Sequence, residues 1–196
     1  MNGEGNLNLH VRRGVVLTAV QQRGISSPTL LLFAAIVFMV RAVMLMLGPL
    51  LVALANDFGT SIAVSGQLAA ATFVTLGITA PLVGPISDTY GRKPVLLIGV
   101  LLMALGVLGS GSAWSYGSLI ATRLITGVGL AMLPPTIMAA LADTLPPEKV
   151  GKAVGFITAS SWVGVALGLP VIALLGYVGG WRLPFYITGG LSLALW

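Results

Sequence analysis

Gly84-Pro85-Ile86-Ser87-Asp88-Thr89-Tyr90-Gly91-Arg92-Lys93-Pro94 is the charge-bearing interruption in a long apolar stretch. Residues 58–87 carry no charge, and neither do residues 94–122. A polar segment this short between two such intervals must join two membrane spans as a tight hairpin at a bilayer surface. Gly84 lets the end of the preceding helix approach a neighbour closely, Gly91 permits a backbone angle that other residues resist, and Pro94 suits the first turn of the next helix. Asp88 is placed to accept hydrogen bonds from loop amides or a facing helix N-terminus, with Arg92 and Lys93 about a helical turn away. The segment reads as a charged latch.

The composition around it is that of an integral membrane protein. Of 196 residues, 57% are hydrophobic and only 8% charged, against about 25% charged in a globular domain, and the mean hydropathy is +1.02. Ten Lys plus Arg against five Asp plus Glu give a net charge of +5, but the positions of the bases exclude a nucleic-acid surface. Arg12, Arg13, Arg23, Arg92, Lys93, Lys149 and Lys152 fall at one set of loop ends and Arg182 alone at the other, the asymmetry of the positive-inside rule. This puts the N-terminus in the cytoplasm; the expected location is a plasma membrane, the inner membrane of a bacterium. Cysteine is absent and the single His10 lies in a polar tail, so the sequence implies no metal and no cofactor.

A span needs about 20 apolar residues to cross a hydrocarbon core of about 30 Å. After a cytoplasmic tail at 1–28, the spans are expected at about 29–54, 62–83, 94–110, 116–141 and 151–175, with the start of a sixth at 183–196. The last 14 residues reach only about 21 Å as a helix, so the sequence reads as a fragment or truncated frame that stops inside its sixth span. The outer turns fall at 56–61, 109–116 and 179–182, and the inner turns at the latch and at 143–152.

With these residues in order, the chain resembles the major facilitator superfamily of secondary transporters over nearly all of 29–196. Gly84-x-x-x-Asp88-x-x-Gly91-Arg92-Lys93 is similar to the family's loop between helices 2 and 3, with Thr89 where a base is usual. Leu119-x-x-x-Arg123-x-x-x-Gly127-x-Gly129-x-Ala131 resembles the helix-4 motif of proton-coupled members, and Gly164 to Gly168 with Pro170 resembles a degenerate form of the helix-5 motif of efflux antiporters. Gly180-Trp181-Arg182-x-x-Phe185 is similar to the outer loop that follows. The resemblance implies an all-α membrane protein, the six-helix N-terminal half of a transporter built from three-plus-three inverted repeats. It also implies a small-molecule substrate bound against a missing C-terminal six-helix half, with protons as coupling ion. The activity implied is efflux of a drug or small metabolite, with a sugar, an organic anion or a non-transporting fragment as alternatives.

Each site residue then has a functional and a structural reading. Asp88 with Arg92 either latches the inner side shut, pairing with Asp143 at the inner end of helix 4 and with a helix of the missing half, or is a solvated loop that only sets orientation. Arg123 either snorkels from the outer third of its helix or faces the cavity and steers a proton relay, with Gly127 as a further cavity candidate. Arg41 lies mid-span, where an unpaired charge costs about 2.5 to 3.5 kcal/mol, so it should face the bundle interior. There it either ligates an anion or carbonyl of the substrate or bonds backbone carbonyls. Gly164, Gly168 and Pro170 either pack or bend helix 5 during alternation. No Asp or Glu falls in any expected span, which disfavours a hydrophobic cation as substrate.

Other classes lack their signatures. There is no G-x-x-x-x-G-K-[ST], no H-E-x-x-H and no G-x-S-x-G, so a nucleotide-driven pump and the common hydrolases are disfavoured; a channel or scaffold fits six helices equally well. The expected weave is directly testable. Single cysteines at Asn56 and Asp88 should react with impermeant maleimide from opposite sides of the membrane, and labelling of both from one side refutes the topology.

Overall fold

The structure is a computed structural model that describes residues 26–196; the expected N-terminal tail, with His10, Arg12, Arg13 and Arg23, lies outside the described residues up to position 25. Among the described residues seven helices follow one another: α1 (Ser27–Leu45), α2 (Leu47–Asp57), α3 (Ile62–Tyr90), α4 (Arg92–Gly111), α5 (Tyr116–Thr144), α6 (Pro147–Gly179) and α7 (Arg182–Ala194). Five of them, α1, α3, α4, α5 and α6, are long and apolar enough to cross a membrane.

The first expected span, 29–54, is interrupted. Pro49 has no N–H to give the Leu45 carbonyl, and its ring presses on that carbonyl, so the helix breaks at Met46 and restarts as α2. The hairpin is also tighter than expected. Pro85 to Tyr90 remain helical, and one residue, Gly91, joins α3 to α4 with φ 90° and ψ 157°, a conformation that only glycine adopts readily. Likewise the inner turn expected over 143–152 shrinks to Leu145 and Pro146, because α5 runs to Thr144 and Pro147 opens α6.

Polar side chains fix the other ends. Ser61 Oγ accepts from the Val64 amide to start α3, and Ser115 and Ser118 form a reciprocal capping box for α5. Beyond α2, the Thr60 amide returns to the Ala55 carbonyl at 2.9 Å around Gly59 at φ 60°, a glycine-based helix stop. Pro81, Pro85, Pro134, Pro135 and Pro170 all lie inside helices, which membrane helices tolerate where neighbours and hydroxyls re-satisfy the freed backbone.

The packing has an internal two-fold pattern. In the first unit, α1 with α2, then α3, then α4 correspond in order to α5, α6 and α7 of the second. Three contacts follow it: α3 packs on α5 as α6 packs on α1, and α4 packs on α7, whereas the most extensive contact, α4 on α5, has only a slight counterpart in α7 on α1. α5 is the most enclosed of the long helices and α3 the least, and α3 and α6 leave apolar residues such as Ile78, Leu82, Leu167 and Leu174 exposed. That is a membrane bundle's surface, not a soluble protein's.

Glycines set the crossings. A Cβ at Gly127 would sit 2.6 Å from the Thr72 carbonyl oxygen of α3, and one at Gly164 would sit 2.7 Å from the Phe38 carbonyl oxygen of α1. Gly164→Leu should therefore force α1 and α6 apart. Overpacking of this kind costs about 1–3 kcal/mol, read as a lower apparent melting temperature in detergent. Gly155→Ala, whose added Cβ meets nothing within 4 Å, should leave it unchanged, and equal behaviour of the two would refute the close crossing.

Candidate functional site

Because Gly91 is the whole joint, Arg92 starts α4 within reach of the last turn of α3. Its Nη1 donates to Asp88 Oδ1 and to Ser87 Oγ, both at 2.5 Å, while its Nε donates to Asp143 Oδ2 at 2.9 Å. One guanidinium thus ties the end of α3 to the end of α5. Ser87 is buried and also donates to the Gly84 carbonyl at 3.1 Å, so it fixes one side of the latch. Asp88 takes its bond from Arg92 rather than from loop amides, since a one-residue joint has no loop. Lys93 is exposed and makes no ion pair among the described residues. Gly84 makes no close approach: an added Cβ there meets nothing within 4 Å, and the tight contact of α3 is provided by Gly127 instead.

Arg41 lies on the wall of a cavity of about 350 Å³ between α1, α3, α5 and α6, with Met44, Leu76, Pro135, Thr158 and Trp162 around it. Its Nε donates to Ser161 Oγ at 2.6 Å, and its Nη1 approaches Met44 Sδ at 3.9 Å. A side chain on α1 leans toward the helix N-terminus, which lets it reach across to α6. Most of the guanidinium is left facing the cavity. A larger groove of about 550 Å³ between α1, α6 and α7 is lined by apolar side chains and Ser160; with no charged group on its wall, it offers far less chemistry.

Arg123 lines neither hollow. It is 1% exposed, donating through Nε and Nη2 to Ser110 Oγ at 3.0 and 2.6 Å, with its guanidinium 5.1 Å from the Phe185 ring centre. The charge is held among α4, α5 and α7, and among the described residues no carboxylate touches it. Gly127 sits at the α3–α5 crossing, Gly164 and Gly168 face Phe38 and Ala42 of α1, and Pro170 is an exposed member of α6. Three partners found here are not paired by the sequence, although Asp57 is a surface candidate there for the titrating carboxylate. Ser110 and Ser161 are short hydroxyls with no motif of their own, and Asp57 pairs with Arg182, its Oδ2 3.1 Å from Arg182 Nη1. Among the described residues no cluster of His, Cys, Asp or Glu could hold a metal ion.

Residues 30–196 match the Major Facilitator Superfamily profile; the chain belongs to this family and covers the N-terminal part of its fold. It is 30% identical over 84% of its length to the uncharacterised MFS-type transporter YceJ of Bacillus subtilis. It is 35% identical over 57% of its length to a 3-(3-hydroxy-phenyl)propionate transporter of Escherichia coli. The crystal structure of a D-xylose-proton symporter superposes with a TM-score of 0.75 over 85% of this chain and 46% of that one at 18% identity, which establishes the shared fold. The chain spans 42% and 28% of the two relatives, less than half of either.

The latch geometry makes Arg92 and Asp143 energetically coupled. A double-mutant cycle of Arg92→Ala and Asp143→Ala, read by apparent melting in detergent, should show non-additivity at low salt. The coupling should shrink toward zero near 1 M salt, where the screening length falls to about 3 Å. Additive effects at low salt would refute the bond.

Proposed function

We propose that this chain forms one wall of a secondary carrier that exports a small metabolite in exchange for protons, by alternating access against a second six-helix half. Its basic latch end faces the cytoplasm of a plasma membrane, that of a bacterium, and its opposite end faces outside. Asp88, Arg92 and Asp143 hold the inner side shut in one state with Lys93 beside them at the cytoplasmic face, and Arg123 is a buried structural charge that braces the proton-coupling helix. Transport rather than catalysis is the reading that the family supports.

The observation that carries the substrate class is Arg41. It is the one cation on the wall of the smaller cavity among the described residues, and no carboxylate shares that wall. A guanidinium is a planar fork of donors that suits a carboxylate in bidentate fashion. A cationic drug would meet repulsion there and no counter-charge. The site therefore favours a metabolite bearing an anionic group, and the relative named for a propionate supports this. Because the described spans carry no acid, the titrating proton sits on the second half, on the substrate, or on a surface aspartate such as Asp57 or Asp88.

The whole carrier in proteoliposomes tests this. Counterflow should exchange an organic anion, and an inward proton gradient should accelerate its export. Arg41→Gln should raise its KM by about tenfold or more, a loss of ~1.4 kcal/mol, while Arg41→Lys keeps the charge and loses the fork, giving an intermediate value. An unchanged KM in Arg41→Gln, or export of cationic dyes in preference to anions, overturns the assignment.

A further inference from the structure

The two ends of the bundle carry the same device. At the inner end, a glycine at φ 90° precedes Arg92, the first residue of α4, whose guanidinium reaches Asp143 in the last turn of α5. At the outer end, Gly180 at φ 74° and then Trp181 precede Arg182, the first residue of α7, whose guanidinium reaches Asp57, the last residue of α2. Both bonds cross from one three-helix unit to the other, and they join elements that correspond under the internal two-fold. Pro135 lies eight residues before Asp143, and Pro49 lies eight residues before Asp57. Each aspartate therefore sits at the tip of a helix that carries a proline two turns earlier; α5 runs on unbroken through Pro135, while the chain breaks at Met46 just before the helix that holds Pro49.

The outer device has a further anchor. Arg182 stacks 4.1 Å over the Trp181 ring centre and its Nη2 reaches the Ala113 carbonyl at 3.4 Å. Trp181 is 5% exposed, packs 5.5 Å from Phe58 and 5.8 Å from Phe185, and Phe58 meets Tyr116 at 6.4 Å. Three turns, α2–α3, α4–α5 and α6–α7, are thereby gathered at one point, and Arg182 holds the tip of α2 against it.

We infer that Asp57 and Arg182 are the outer counterpart of the inner latch: positioning residues that pin the hinged tip of α2 and favour the state in which the outer side is closed. This rests on reading the inner latch as the element that closes the inner side. The two pairs oppose each other, one weighting each end of the alternation. Breaking the outer pair releases α2 about Met46 and shifts the carrier toward the outward-open state, and breaking the inner pair shifts it the other way.

The experiment uses the whole carrier with its only cysteine at Thr158, a cavity position on α6, and measures the rate of labelling by an impermeant maleimide added outside. Asp57→Asn should raise the rate by about two- to fivefold, the scale of one exposed ion pair, and Asp143→Asn should lower it comparably. The exchanged pair Asp57→Arg with Arg182→Asp should restore both the wild-type rate and counterflow, which a merely unfolded single variant cannot mimic. No change in Asp57→Asn, a shift in the same direction as Asp143→Asn, or failure of the exchanged pair to restore the rate overturns the inference. If Asp57→Asn behaves as stated and Asp143→Asn does not respond, the inner-latch reading falls and the outer pair stands.

Discussion

Lipid gives two helices no hydrophobic reason to adhere, because hydrocarbon is as apolar as leucine, so a bundle in a membrane depends on how closely backbones can approach. Here that approach is set by a few glycines on α4, α5 and α6. Gly127 admits α3 on one side of α5, while Gly129, two positions on and so on a different face, admits α4. Gly164 and Gly168 do the same for α1 against α6. With these crossings fixed, α1, α3, α5 and α6 enclose a cavity, and α4 and α7 back the bundle against each other.

The placement of charge follows from the same solvent. An arginine in hydrocarbon is tolerated only with donors satisfied or water within reach, and the two spanning arginines use these options differently. Arg123 spends its donors on Ser110 and stacks on Phe185 inside the bundle, which makes it a cross-brace for α4, α5 and α7. Arg41 gives one N–H to Ser161 and keeps the rest toward the cavity. Identical side chains thus become an enclosed and a cavity-facing group through their neighbours alone.

Much of this was legible because lipid enforces simple rules. The all-α membrane fold and the short charged joint between α3 and α4 follow from hydropathy and charge spacing, and Arg41 lines a cavity as the cost of an isolated guanidinium in hydrocarbon leads one to expect. The break at Met46 was hidden by the apolarity of 29–54, since hydropathy does not register the bond that Pro49 fails to give Leu45. Gly84 was assigned a close approach that belongs to Gly127, because a glycine's role depends on what faces it and not on its own neighbours. The partners Ser110, Ser161 and Asp57 could not be read either: Arg41 and Ser161 are 120 residues apart, and Asp57 and Arg182 are 125 apart. Only the internal two-fold, with Pro49 and Pro135 in register, would have predicted the outer pair from the inner one.

The modest strength of these pairs is suited to alternation. Asp88, Asp143, Asp57 and Arg182 all keep their side chains more than 40% exposed, and ion pairs so placed change an equilibrium by less than about fivefold each. A lock worth several orders of magnitude would trap one state, and substrate binding would then have to supply that difference at every cycle. On the proposed reading, weak and opposed ties at the two ends would leave the conformations close in free energy. On that reading a single substrate contact in the cavity would then decide which one prevails, the condition under which a carrier turns over.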